Sequence, residues 1–120
     1  MHIDHEQVDT RILKINLAGR MDFAGSEEIH EKFAALTAPP RKAVIVDLAK
    51  VDFVTSVGIR TLLLNAKALK SRGGRMVLLN PDASVTKVLA VAGLDRIIGV
   101  FRDLETACAA LACEPSGDAQ

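Results

Sequence analysis

The chain alternates between two kinds of hydrophobic pattern, and each kind predicts a different element. Between residues 11 and 17 apolar and polar side chains alternate, which is typical of a strand with one face in water. The apolar residues before it predict a partner strand, with a turn near Asp9. Residues 43–48 and 76–79 are apolar and rich in β-branched side chains, as expected of strands covered on both faces. Residues 97–101 predict a last, short strand.

Four other segments place apolar residues at helical spacing. The first helix is predicted over about residues 26–37, with an acidic first turn and with Pro39 and Pro40 after its end. The second begins near Ser56 or Val57. Glycines end the second and third helices, and an aspartate caps the fourth. These residues are Gly73, Gly93 and Asp103.

Strands that alternate with helices of this length indicate an α/β domain. The N-terminal hairpin adds an antiparallel pair of strands to an otherwise parallel sheet. We therefore expect a mixed, mostly parallel sheet of four to five strands, with about four helices. Residues 43–48 are the candidate for the central strand. The domain is predicted to span residues 1–113, and the Pro-, Ser- and Gly-containing tail 114–120 is predicted to be disordered.

Composition and charge argue against several functions. Lysine plus arginine and aspartate plus glutamate are each 15, so no basic excess favours nucleic acid, and only four aromatic residues are present for stacking on bases. The N-terminus has no signal-peptide pattern, and no apolar run could span a membrane. We therefore expect a soluble, cytoplasmic protein.

No set of residues in the chain has the spacing that catalysis or cofactor binding requires. Cys108 and Cys113 fit neither a metal pair nor a redox motif, and His30 lacks ligand spacing. The adjacent glycines Gly73 and Gly74 match neither a phosphate loop nor a dinucleotide fingerprint. We predict a protein that is not an enzyme, with no catalytic residues, no cofactor and no metal.

One segment gathers polar residues where a buried strand leads into an apolar helix. These residues are Asp47, Asp52, Thr55 and Ser56. In α/β sheets ligands meet the fold outside the carboxyl ends of the strands, so this junction is the candidate functional site. Simpler structural roles exist as well, because serine and threonine are favoured helix N-caps and Gly58 can serve close packing.

At this point the chain resembles the STAS domain family. The run that begins at Asp47, DLAKVDFVTSVGIR, is similar to the family signature. Three further segments, LAGRMDF at 17–23, GGRMVLLNP at 73–81 and AGL at 92–94, resemble other family segments in the same order.

The resemblance implies a binding module with the function of an anti-sigma factor antagonist. Such a protein binds a serine-kinase anti-sigma factor and releases a sigma factor, and phosphorylation of a signature serine abolishes binding. The matching residue is Ser56. The family pattern has aspartate before this serine and serine or threonine after it, whereas this chain has Thr55 and Val57. Thr55 is therefore the alternative phosphoacceptor.

The resemblance and the junction together define the predicted partner-binding surface. Its residues are Asp22, Phe23, Val54, Thr55, Ser56, Val57, Gly58 and Arg60. Asp22 can equally serve as a helix-entry residue, and Phe23 and Val54 contribute contact area only if they are exposed. An alternative function is a non-phosphorylated STAS subunit that stabilises the ATPase of a lipid-trafficking transporter. The oligomeric state stays open, since an apolar helix face can pack inward or against another subunit.

Overall fold

The computed structural model describes residues 1–40 and 42–112 and forms a layered α/β structure. The strands are β1 (His2–Gln7), β2 (Ile12–Met21), β3 (Ala43–Val54), β4 (Arg75–Leu79) and β5 (Gly99–Phe101). The helices are α1 (Phe23–Thr37), α2 (Ser56–Ser71), α3 (Ala83–Val91) and α4 (Leu104–Ala112), and a short 3-10 helix spans Leu94–Arg96. The predicted domain end at 113 and the tail 114–120 lie outside the described residues.

The five strands form one sheet in the order β1-β2-β3-β4-β5. β1 and β2 are antiparallel, and each later pair of neighbours is parallel. The predicted mixed, mostly parallel sheet is thus confirmed, with β3 at its centre. The hairpin turn is also confirmed: Asp9 Oδ1 accepts hydrogen bonds from the N–H groups of Arg11 and Ile12 at 2.8 and 3.0 Å.

The helices cover the two faces of the sheet unequally. α1, α2 and α3 contribute to the larger apolar cluster on one face, with Phe33, Leu62 and Leu89 among its buried side chains. On the other face, Ala107 and Leu111 of α4 pack over part of the sheet. The rest of that face is polar, because strand residues of the opposite parity, such as Lys14, point there. Lys14 pairs with Asp47 at 3.4 Å.

Three predicted boundaries are wrong. α1 begins at Phe23 instead of near residue 26, because Asp22 caps it, so the acidic residues lie beyond the first turn. β3 continues six residues past 48, because β2 stays paired with it through two register shifts. β5 begins at Gly99 instead of 97, because the chain after Gly93, where φ is 76°, first forms the 3-10 helix.

Candidate functional site

The carboxyl ends of β2 and β3 lie side by side, and each strand leads directly into a helix. The Thr55 N–H donates to the Met21 carbonyl at 3.1 Å, which joins the β2–α1 turn to the β3–α2 turn. Asp22 and Ser56 therefore lie on neighbouring turns at one end of the sheet. This pair of turns is the candidate site.

The β2–α1 turn is held by an aspartate cap. Asp22 Oδ1 accepts a hydrogen bond from the Gly25 N–H at 2.8 Å, which satisfies one of the free donors of the first turn of α1. That hydrogen bond lowers the pKa of Asp22, and the charge of Arg20, whose Nε lies 3.6 Å from Asp22 Oδ2, lowers it further. The helix-entry role considered for Asp22 is the one the structure shows.

The β3–α2 turn is held by Thr55. The Thr55 hydroxyl accepts from the Gly58 N–H at 3.5 Å and lies 3.2 Å from the Met21 carbonyl, to which it donates. The suggestion that Ser56 caps α2 is therefore wrong, since Ser56 is the first residue inside the helix. Ser56 is exposed, and its hydroxyl forms no hydrogen bond with another residue in the described part of the chain.

Gly58 lets the two turns approach each other closely. A Cβ atom at this position would lie 2.5 Å from the Met21 carbonyl oxygen and 2.8 Å from Met21 Cγ, distances that real Cβ atoms do not show. Gly58 is buried, which matches the close-packing role considered for it. It holds the turn in place and offers no side chain to a partner.

The predicted partner-binding residues divide into an exposed group and a buried group. Phe23 is 66% exposed and Val57 is 36% exposed, so both present apolar surface to solvent. Arg60 is also exposed, and Asp22 and Thr55 are half-buried. With Ser56, these residues form the exposed group, in which Asp22 and Thr55 are the least accessible. Val54, at 5% exposure, belongs with Gly58 in the buried group, so both offer little surface to a docked protein.

Two residues of this surface were missed in the sequence. The Arg20 guanidinium lies 4.1 Å from the ring centroid of Phe53, which is 40% exposed, and the two residues face each other across β2 and β3. Since Arg20 also pairs with Asp22, it links the ring to the turn. The pairing depends on the register shift between the strands, which no sequence pattern indicates.

A groove beside Ser56 was missed as well. It has a volume of about 350 Å³ and lies between the start of α2 and the second half of α3. Its lining residues are Ser56, Ile59, Lys87, Val88, Val91 and Ala92. Val91 is 84% exposed despite its apolar side chain. The helical pattern of each segment shows only its own apolar face and gives no sign of the space between two helices.

Within residues 1–40 and 42–112 no three histidine, cysteine or acidic residues are grouped as metal ligands would be. Over the same residues, no helix combines the length and the apolar character that crossing a bilayer requires.

Comparison with known proteins identifies the family. The STAS domain family matches residues 5–107. The chain belongs to the STAS domain family. The predicted family resemblance is therefore confirmed, and the family match covers most of the described chain.

Two relatives carry related names. "Putative anti-sigma factor antagonist BtrV" of Bordetella bronchiseptica is 29% identical over 110 residues, which covers 92% of this chain and 94% of the relative. The anti-sigma F factor antagonist of Lysinibacillus sphaericus is 32% identical over 95 residues, covering 78% of this chain and 81% of the relative. This STAS protein is thus similar to anti-sigma factor antagonists over nearly their full length.

Solved structures show the same fold. The anti-sigma factor antagonist SpoIIAA in its unphosphorylated form has a TM-score of 0.74 at 23% identity and covers 96% of this chain and 100% of its own. The phosphorylated form of SpoIIAA from Bacillus has a TM-score of 0.66 at 24% identity, with 91% and 98% covered. At these identities the match concerns the fold alone.

Proposed function

We propose that this STAS protein is a cytoplasmic anti-sigma factor antagonist that binds a serine-kinase anti-sigma factor and so releases a sigma factor. The observation that carries the proposal is the exposed Ser56 hydroxyl at the start of α2, on a turn that is hydrogen-bonded to the turn before the exposed Phe23. The names of the two relatives support the same function. They favour it over the ATPase-stabilising subunit, because both names refer to anti-sigma factor antagonists.

The exposed group of residues has the composition of a docking surface. Aromatic side chains that become buried at the centre of an interface often dominate its binding energy, and Phe23 offers such a side chain. Arg60 and Asp22 place opposite charges around the apolar residues, where they can orient a partner. The half-buried Thr55 completes the turn between them.

Phosphorylation of Ser56 provides the switch. The γ-phosphoryl group of a nucleoside triphosphate is transferred to Ser56 Oγ. The new Oγ–P bond forms as the bond to the departing nucleoside diphosphate breaks, and the hydroxyl proton passes to a base of the kinase. The fold tolerates the product, because a dianion at a helix N-terminus is stabilised by the helix dipole. In an interface shaped for a hydroxyl, a penalty of roughly 3 to 4 kcal/mol weakens binding a few hundredfold.

Ser56 is a better acceptor than Thr55 because of their hydrogen bonds. The Thr55 hydroxyl is engaged by Met21 and Gly58, so its phosphorylation would remove the cap of α2. The Ser56 hydroxyl can be modified with both contacts intact. We accordingly place the phosphate on Ser56 and keep Thr55 as the alternative.

Calorimetric titration against the purified serine-kinase anti-sigma factors of the source organism tests the proposal. We expect Ser56→Ala to bind as the unmodified protein does and Ser56→Asp to bind at least tenfold more weakly, although both fold, since aspartate is favourable in the first turn of a helix. Equal binding by the two variants would contradict the phosphoswitch.

The docking surface has its own matched pair of variants. Phe23→Ala is expected to weaken binding at least about tenfold, the range of an exposed aromatic anchor. Leu104→Ala removes a large side chain of 40% exposure from α4, on the opposite face of the sheet, and is expected to leave binding unchanged. A larger loss for Leu104→Ala than for Phe23→Ala would move the docking surface away from the turns.

A further inference from the structure

The groove between α2 and α3 combines an apolar lining with one uncompensated positive charge. Of its six lining residues Lys87 alone is charged, and none is acidic. Lys87 is exposed, and within the described residues its ammonium group forms no ion pair. Ser56 lines the same groove from the first position of α2, so a group attached to its hydroxyl lies at the groove that Lys87 borders.

A second cation lies on the same side of α2. Arg60 is four residues after Ser56, and residues at this spacing are neighbours on a helix surface. Arg60 is exposed and, like Lys87, has no carboxylate partner among the described residues. The Ser56 hydroxyl is thus accompanied by two cations from two helices, and the unmodified protein supplies neither with a counter-charge.

We propose that Lys87, together with Arg60, binds the phosphate of phosphorylated Ser56 within the same molecule and so closes the groove between α2 and α3. This proposal rests on the proposed function, because it describes the modified form of the same serine. Lys87 acts as a positioning residue for the phosphate. It was not among the residues that the sequence suggested.

The chemistry of the three groups fits this arrangement. Lysine carries three donors on a flexible four-carbon stem, which allows it to reach a phosphate from a neighbouring helix. Arginine binds phosphate oxygens through its planar fork of N–H groups, and the free N–H groups at the start of α2 add further donors. A Lys87 side chain that binds the phosphate would place its methylenes along the apolar lining of the groove, which includes Ile59 and Val91.

The closed groove gives phosphorylation a second consequence for binding. The dianion opposes a partner that fits the hydroxyl, and the Lys87 side chain at the same time occupies apolar surface beside it. A phosphate that is paired within its own chain also no longer attracts a cation of the partner. Phosphorylation therefore changes the shape of this surface as well as its charge.

The test uses the full chain with phosphoserine incorporated genetically at position 56 and follows the phosphate by ³¹P NMR during a pH titration. Phosphoserine releases its second proton with a pKa of about 6, and bound cations lower that value. We expect the pKa to be lowered by about half a unit in the parent protein, and to rise by a few tenths in Lys87→Gln and in Arg60→Gln. Asp22 in the neighbouring turn acts on the phosphate equally in every variant.

Lys67→Gln is the matched control, because Lys67 is an exposed lysine of α2 that does not line the groove. It is expected to leave the phosphate pKa of the parent unchanged. Identical pKa values in Lys87→Gln and Lys67→Gln would overturn the proposal. The titration needs neither kinase nor partner, so it distinguishes the two proposals. A phosphate pKa that depends on Lys87, together with no binding of the anti-sigma factor, would contradict the proposed function alone. Normal binding of the anti-sigma factor, together with a pKa that does not depend on Lys87, would contradict the phosphate site alone.

Discussion

The two turns of the candidate site have the same construction and different chemistry. In each, an N-cap side chain accepts a hydrogen bond from a glycine N–H three residues later: Asp22 from Gly25 and Thr55 from Gly58. In each, the glycine has no room for a Cβ atom, because a carbonyl oxygen of β2 occupies that space. The same local solution thus joins both strands to their helices.

The difference lies at the first position inside each helix. α1 presents Phe23 there, and α2 presents Ser56, and both side chains are exposed. The cap and the glycine hold the backbone, so the residue between them has no structural role in the turn. Its side chain is available to contact a partner protein. The comparison teaches that the cap and the glycine fix the backbone of each turn, while the first helical residue is left exposed to solvent.

The largest expected effect comes from filling the space beside the glycines. Gly58→Ala brings a methyl group against the Met21 carbonyl, and Gly25→Ala brings one against the Arg20 carbonyl, so we expect each to destabilise the protein by about 2 kcal/mol. Urea unfolding measures the loss. Equivalent losses at both positions would confirm that the two turns share one construction.

Gly93→Ala serves as the control for this pair. A Cβ atom at Gly93 meets nothing within 4 Å, but φ is 76°, so the substitution costs only about 1 kcal/mol for the left-handed backbone. If Gly58→Ala or Gly25→Ala proves milder than Gly93→Ala, close approach of the backbone is not what these glycines provide.

An intermediate effect is expected at the cap of α2. Thr55→Ala removes the acceptor for Gly58 and the donor to Met21, and we expect it to cost about 1 kcal/mol of the free energy of unfolding. Thr55→Ser retains the hydroxyl and should lose less. Chemical denaturation of both variants checks this, and equal losses would show that the hydroxyl does not hold the turn.

The smallest expected effect is a difference between the two caps in how their contribution to stability depends on pH. The folded protein lowers the pKa of Asp22 below its ordinary value of 3.8, so its contribution to stability is complete above that value and is lost as the pH falls through the folded pKa. Thr55 does not ionise. The stability difference between the parent and Asp22→Thr should therefore shrink below about pH 4, the ordinary range of aspartate.

Urea midpoints measured between pH 3 and 7 test this expectation, and the exchange can also be made in the other direction. Thr55→Asp should introduce at α2 the acid dependence that Asp22→Thr removes at α1. Asp4 and Asp103 also have lowered pKa values, from hydrogen bonds donated by Asn16 and Thr106, but they are common to all the variants. A difference that is independent of pH would mean that the Asp22 charge does not contribute.

Much of the fold followed from local patterns. The alternation of residues 11–17 and the apolar run of residues 43–48 predicted their strands, and Gly73, with φ of 81°, ends α2 as expected. Helix starts were less accurate. At α1 two candidates, Asp22 and the later serine and acidic residues, were compatible with the pattern, and at α2 Thr55 and Ser56 are both good caps by residue type.

The candidate site was predicted only in part. That the turns of Asp22 and Ser56 lie at the same end of the sheet follows from parallel strands whose carboxyl ends share one edge. The sequence does not show which neighbours are exposed. Phe53 and Val54 are both apolar and lie on opposite faces of β3, and the register shifts between β2 and β3 decide which of them faces the core.

The sequence by itself determined the α/β class, the family and the segment that carries Ser56, because strand and helix periods and short motifs are properties of neighbouring residues. The tertiary structure decided that Thr55 caps α2, that the Ser56 side chain is exposed, and that Lys87 lines the same groove as Ser56. The physical reason is that these relations depend on how β2, α2 and α3 pack, and residues far apart in the chain meet only through that packing.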